Sequence, residues 1–184
     1  MRVVAGESRG RPLCAPEGNR TRPTSDRVRE SIFNMLFSLG ATGEMRVLDL
    51  YAGCGALGIE ALSRGATHCT FVERDRRAVE SIRDNLTSLG YSSRGTVIQA
   101  DVVDWVANNE ESFDIVLADP PYADDTWSSL IDQVDAKWLV AEAGTVLGEH
   151  PGWDVVREKT YGTCLLYTSP SPRDATLSRM PSSA

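Results

Sequence analysis

No apolar run in this chain approaches the roughly 20 residues that a bilayer demands, so no membrane-spanning helix is expected. The opening Met1-Arg-Val-Val-Ala-Gly-Glu-Ser-Arg-Gly10 lacks the apolar centre of a secretory signal, which points to a cytoplasmic protein. Cysteine is scarce and unpaired: Cys14, Cys54, Cys69 and Cys164 form no C-x-x-C and read as four reduced thiols. The two histidines, His68 and His150, stand far apart, so ligand arithmetic offers no metal site. No internal repeat is present. What remains is 41% apolar and 24% charged over 184 residues, ordinary for one globular domain.

The net charge of −7 argues at first against a nucleic-acid partner, but its distribution matters more than its sum. Residues 1–29 hold seven arginines against Glu7, Glu17 and Asp26, a local balance of +4. Residues 95–150 hold twelve acids against Lys137, a balance of −11. A basic stretch on an acidic body is where a phosphate backbone would dock, although a solvated arginine-rich surface has the same composition.

The first 20 or so residues alternate short β-like pieces, Arg2–Ala5 and Arg11–Cys14, with Gly6, Gly10, Pro12, Pro16 and Gly18. This predicts a small hairpin or extended arm outside the core. A helix is expected after Pro23, capped by Thr24 or Ser25 and stopped by Gly40. From Arg46 the pattern becomes strand, glycine turn and helix, repeated. Strands are predicted at Val47–Tyr51, Cys69–Glu73, Thr96–Gln99 and Phe113–Ala118, and helices at Leu57–Arg64, Arg76–Leu89, Val103–Ala107 and Thr126–Val134. Such alternation implies an α/β fold with a parallel sheet covered on both faces. Gly144–Leu147, Trp153–Arg157 and Cys164–Tyr167 are weaker strand candidates. The closing Thr168-Ser-Pro-Ser-Pro-Arg-Asp-Ala-Thr-Leu-Ser-Arg-Met-Pro-Ser-Ser-Ala184 has no apolar periodicity and reads as a disordered tail foreign to the domain.

Asp49-Leu-Tyr-Ala-Gly-Cys-Gly-Ala-Leu-Gly58 turns a strand end through glycines into a helix. Gly53, Gly55 and Gly58 spell G-x-G-x-x-G, which suits a dinucleotide too. Asp49, four residues before the first glycine, would repel a phosphate; it suits the ammonium of a methionine moiety instead. Glu73, at the end of the next strand, is placed to bond ribose hydroxyls. Asp101, past the third strand, suits an adenine amino group, a helix N-cap, or both.

Asp119-Pro-Pro-Tyr122 follows the apolar strand Phe113-Asp-Ile-Val-Leu-Ala118 and is the most specific signal. The lone pair of an exocyclic base amine is delocalised into the ring. A carboxylate and a backbone carbonyl accepting its hydrogens would favour a pyramidal nitrogen with a free lone pair. Pro120 and Pro121 fix φ and remove two N–H donors, leaving a stiff turn. Tyr122 offers a face on which a base stacks.

Together these residues resemble the class I methyltransferase fold, and residues 2–163 resemble the RsmD family of bacterial 16S rRNA (guanine-N2) methyltransferases. The likeness lies in Arg2-Val-Val-Ala-Gly6, Arg9-Gly-Arg11, Arg22-Pro-Thr-Ser-Asp-Arg-Val-Arg-Glu-Ser-Ile-Phe-Asn34 and Asp49 through Gly65. It departs after Tyr161-Gly-Thr163, where the family's usual acid is missing and its text is lost, so that Cys164-Leu-Leu-Tyr-Thr168 is the segment left to fill the final strand. The resemblance implies a mostly parallel seven-stranded sheet flanked by helices, and S-adenosylmethionine held by Asp49, Gly53, Gly55, Glu73 and Asp101. Tyr51, Ala52, Arg74 and Val102 stand beside them. It further implies a guanine held by Asp119, Pro120, Pro121 and Tyr122, and small-subunit rRNA or an assembling subunit facing Arg9, Arg11, Arg22 and Arg27. Residues 1–23 would be the RNA-contacting arm and 24–167 the catalytic domain, acting as a monomer without metal. The competing readings are an adenine-N6 methyltransferase, an NAD-dependent oxidoreductase, in which D-P-P-Y has no role, and a catalytically silent RNA-binding assembly protein.

Overall fold

Helix and strand boundaries follow local stop and start signals. The computed structural model describes residues 1–16, 25–41, 43–120, 127–143, 153–154, 157–161 and 164–170. Helix α1, Asp26–Ser38, starts where the Ser25 hydroxyl accepts the Val28 amide, and its chain turns off at Gly40 with φ of 80°. Strand β1, Arg46–Leu50, leads through the glycine turn into α2, Ala56–Ser63. Strand β2, His68–Glu73, leads into α3, Arg76–Leu89, where Asp75 caps the Arg77 and Ala78 amides and Gly90 adopts φ of 79°. Strand β3, Gly95–Gln99, α4, Val102–Ala107, β4, Phe113–Ala118, and α5, Trp127–Gln133, continue the alternation.

The strands lie in the order β3-β2-β1-β4-β5-β7-β6, where β5 is Ala136–Ala143, β6 Arg157–Tyr161 and β7 Cys164–Pro170. The first five run parallel; β7 is antiparallel to both β5 and β6. One face is filled by Ile32, Phe33 and Leu36 of α1 with Ile59, Leu62, Phe71 and Ile82. The other holds Val102 and Val106 of α4 and Leu130 and Ile131 of α5. A parallel α/β sheet covered on both faces is what the alternating pattern predicts. Its order reverses between β1 and β4, and α/β folds bind ligands at the carboxyl ends of strands beside such a reversal.

Four sequence expectations change. The N-terminal segment is no free arm: Val3 and Leu13 lie in the core, and Arg2 and Pro12 form one antiparallel bridge. Strand β5 was not expected, because Ala136-Lys-Trp-Leu-Val-Ala-Glu-Ala143 is rich in helix-favouring residues. Pairing with β4 and β7 overrides that preference. Trp153 belongs to no strand; it is buried against α5, its indole N–H donating to the Ile131 carbonyl at 3.2 Å. Of the strand expected at Trp153–Arg157, Arg157 belongs to β6 and residues 155–156 lie outside the described residues, while β7 runs three residues into the expected tail. Gly144–Leu147 and residues 171–184 lie outside the described residues.

Candidate active site

The first feature is the turn after β1. Tyr51 adopts φ of 56°, a left-handed conformation rare in non-glycine residues, and Gly53 and Gly55 follow at 57° and 81°. The three glycines differ in purpose. A Cβ on Gly58 would strike the Phe71 ring and come within 2.5 Å of the Cys69 sulfur, so this glycine serves helix–sheet packing. A Cβ on Gly53 would meet only the Tyr51 carbonyl, at 4.0 Å. Of the three, Gly53 presents backbone to open space.

Helix α2 begins at Gly55, which has no side chain to cap it. Asp49 does this from the strand: its Oδ2 accepts the Gly58 amide hydrogen at 2.8 Å. The Asp49 carboxyl is 1% exposed, and burial drives its pKa well up. The Gly58 bond opposes that rise, while the charges of Asp119 and Glu73 add to it. Acidic groups from two neighbouring strand ends, Glu73 and Asp119, therefore lie near enough to Asp49 to disfavour its charge.

Glu73 clasps the turn. Its Oε2 accepts from Gly53 N at 2.9 Å and its Oε1 from Asp75 N at 2.8 Å, joining the loop to the start of α3. Each oxygen retains a further lone pair for a hydroxyl. Asp101 caps α4 through Val103 N at 3.0 Å, with Arg74 Nη1 3.8 Å from its other oxygen. The Val102 side chain belongs to the core. Ala52 is buried, its amide bonded to Val72 O. Burial raises the Cys54 pKa, leaving a protonated thiol rather than a nucleophilic thiolate.

Asp119 arrives from β4. Leu50 and Ala118 are paired in register, so Tyr51 and Asp119 are the next residues along adjacent strands. The fold brings the two motifs together at the reversal in strand order. Pro120 is buried; Pro121 and Tyr122 lie outside the described residues.

Of the expected RNA-facing residues, Arg9, Arg11 and Arg27 are exposed and Arg22 lies outside the described residues. Arg11 also donates to the Ser88 carbonyl at the C-terminal end of α3, at 2.8 Å. Arg29, part of the same basic run, is fully buried, donating to Asp26 and to the Arg2 carbonyl, so the accessible charge is smaller than the count suggests.

Sequence reasoning missed three buried fixtures. Glu60 accepts from Val4 N, Ala5 N and Arg64 Nε; Ser63 bonds Ser8 N and Ala5 O; Asn85 bonds Cys14 and Cys54. The available signal was a polar residue on an otherwise apolar helix face.

A glycine turn and an acidic strand end meeting at the reversal of an α/β sheet define a class I methyltransferase, an enzyme that draws its methyl group from S-adenosylmethionine. Over residues 1–168 the chain matches the family described as Conserved hypothetical protein 95, and it belongs to that family, the RsmD family of its sequence motifs. It is 41% identical over 153 residues to the Bacillus subtilis protein YlbH, covering 82% of each chain. It is 36% identical over 144 residues to ribosomal RNA small subunit methyltransferase D of Escherichia coli, covering 78% of this chain and 71% of that protein. The solved structure of yhhF from Escherichia coli superimposes with a TM-score of 0.81 at 30% identity, covering 93% of this chain and 97% of that one. Among the described residues, no His, Cys, Asp and Glu cluster suits a metal ion, and no helix is long and apolar enough to cross a membrane.

Proposed function

We propose that this protein transfers the methyl group of S-adenosylmethionine to the N2 amine of a guanine in small-subunit ribosomal RNA. The observation that carries the reading is the meeting of the glycine turn with Asp119 across the β1–β4 pair. In this reading Gly53 and Gly55 admit the cofactor and Glu73 accepts from its ribose. Asp101 and the Val102 backbone meet the adenine, with Tyr51, Ala52 and Arg74 lining the mouth. Asp49, being buried, acts mainly by holding the turn.

Asp119 and a proline carbonyl accept the two N2 hydrogens of a guanine stacked on Tyr122. As N2 attacks the sulfonium methyl, the N–C bond forms and the C–S bond breaks. S-adenosylhomocysteine departs, and N2 loses a proton to Asp119 or water. No covalent enzyme intermediate is required; positioning and polarisation supply the rate. The RNA is met by Arg9, Arg11, Arg22 and Arg27, arginines of residues 1–23 and the first turn of α1, while residues 24–167 catalyse. The protein works in the cytoplasm as a monomer, on rRNA or an assembling subunit.

Incubation with methyl-labelled S-adenosylmethionine and small-subunit rRNA, protein-free and as particles, tests this directly. Nucleoside analysis should show labelled N2-methylguanosine. Labelled N6-methyladenosine, or no incorporation in either form, would overturn it.

A further inference from the structure

Asn85 sits on the buried side of α3, 2% exposed, and one carboxamide serves two separate segments. Its Oδ1 accepts from Cys14 N at 2.8 Å, and its Nδ2 donates to the Cys14 carbonyl at 2.9 Å and the Cys54 carbonyl at 3.0 Å. Cys54 lies between Gly53 and Gly55 in the cofactor turn. Cys14 follows, within three residues, the Arg9-Gly-Arg11 stretch. Both amide hydrogens and the oxygen are engaged, so any rotation of the carboxamide breaks both attachments together. The segment is also pinned to α2 by Glu60 and Ser63, and α2 starts at the same turn. A shift of the turn therefore has a hydrogen-bonded route, one side chain long, to the arginine-bearing stretch.

We propose that Asn85 is a positioning residue that couples the two ends of the reaction: filling the cofactor turn further restrains the arginine-bearing segment, and the reverse. The RNA half of this proposal rests on the reading that Arg9 and Arg11 meet RNA. A ligand that restrains the Cys54 carbonyl restrains the Asn85 carboxamide, and with it Cys14, so the second ligand meets a segment with less freedom left to lose. Such coupling is reciprocal and amounts, between typical sites, to about five-fold or more in affinity.

Two measurements test it. In the parent protein without RNA, saturating S-adenosylhomocysteine should slow hydrogen exchange of the Cys14 amide about five-fold or more. Unchanged exchange at Cys14 would overturn the proposal whatever the RNA does. In the second, calorimetry compares S-adenosylhomocysteine affinity with and without saturating small-subunit rRNA for the parent, Asn85→Asp, Asn85→Ala and Leu86→Val. The parent and Leu86→Val, a core change on the same helix at a side chain that forms no hydrogen bond to Cys14 or Cys54, should bind it about five-fold or more tightly with RNA. Both Asn85 variants should show a ratio near one. Equal loss of coupling in Leu86→Val would reduce Asn85 to a merely structural role. RNA that binds the parent without changing the ratio would defeat the coupling, whereas RNA that fails to bind would defeat the RNA reading instead.

Discussion

Asp49 Oδ2 accepts the Gly58 amide hydrogen at 2.8 Å, so a carboxylate at a strand end caps a helix whose own N-cap residue, Gly55, has no side chain. The cap is a buried acid with its pKa pushed well up, chiefly by burial. An acid that ionises less readily folded than unfolded binds more protons in the native state, so its contribution to stability falls as pH rises above the ordinary carboxylate value of about 3.9. A carboxamide in its place could still accept from Gly58, and without a charge. Asp49→Asn should therefore gain stability relative to the parent as pH rises from about 4 to neutrality. Urea midpoints across that range check this, and parallel curves for the two proteins would refute it.

Gly58→Ala should destabilise by about 1–3 kcal/mol, because the added methyl meets the Phe71 ring and Cys69 on β2 rather than solvent. Since α2 also bounds the cofactor turn, S-adenosylmethionine affinity should fall with it. Thermal unfolding and calorimetry on one preparation give both numbers.

Glu73→Ala should weaken S-adenosylmethionine binding by about 1–3 kcal/mol, roughly 5–150-fold, through the lost hydroxyl acceptor and the released Gly53 amide. Calorimetry at fixed pH measures it, and parental affinity would remove Glu73 from the site.

Replacing Arg9 and Arg11 by alanine should weaken RNA binding and flatten its salt dependence by about one unit of slope for each phosphate no longer neutralised. Arg11 already donates to Ser88, so the two single variants should differ, with Arg9→Ala showing the cleaner loss. Filter binding across a salt series reads the slopes. An unchanged slope would move the RNA surface elsewhere.

Asp119→Ala should keep the fold and cofactor binding and lower single-turnover methyl transfer by about 100-fold or more, the scale of polar groups removed from other active sites. An acceptor whose bonds strengthen as nitrogen pyramidalises acts on the transition state more than on the ground state. RNA affinity should change little. Transfer at the parental rate would make the Asp119 turn no more than a turn.

Much of the site was legible because its parts sit where local rules apply. Glycines mark a left-handed turn, Asp101 precedes the helix it caps, and Asp119 follows an apolar strand. The separate purposes of Gly53 and Gly58 were not legible. The letters are the same, and only the distance to Phe71 on another strand tells them apart.

Element type from Arg46 to Gln133 was determined by sequence alone, since capping, chain reversal and periodic burial act within a few residues. The tertiary structure decided what depends on partners far along the chain. Arg29 went inside rather than toward RNA, Val3 and Leu13 joined the core, and Ala136–Ala143 became a strand between β4 and β7. Asn85 reached across 71 residues to Cys14 and 31 to Cys54. No local pattern carries such information, because a buried polar group is stabilised by whichever backbone the fold brings within about 3 Å of it.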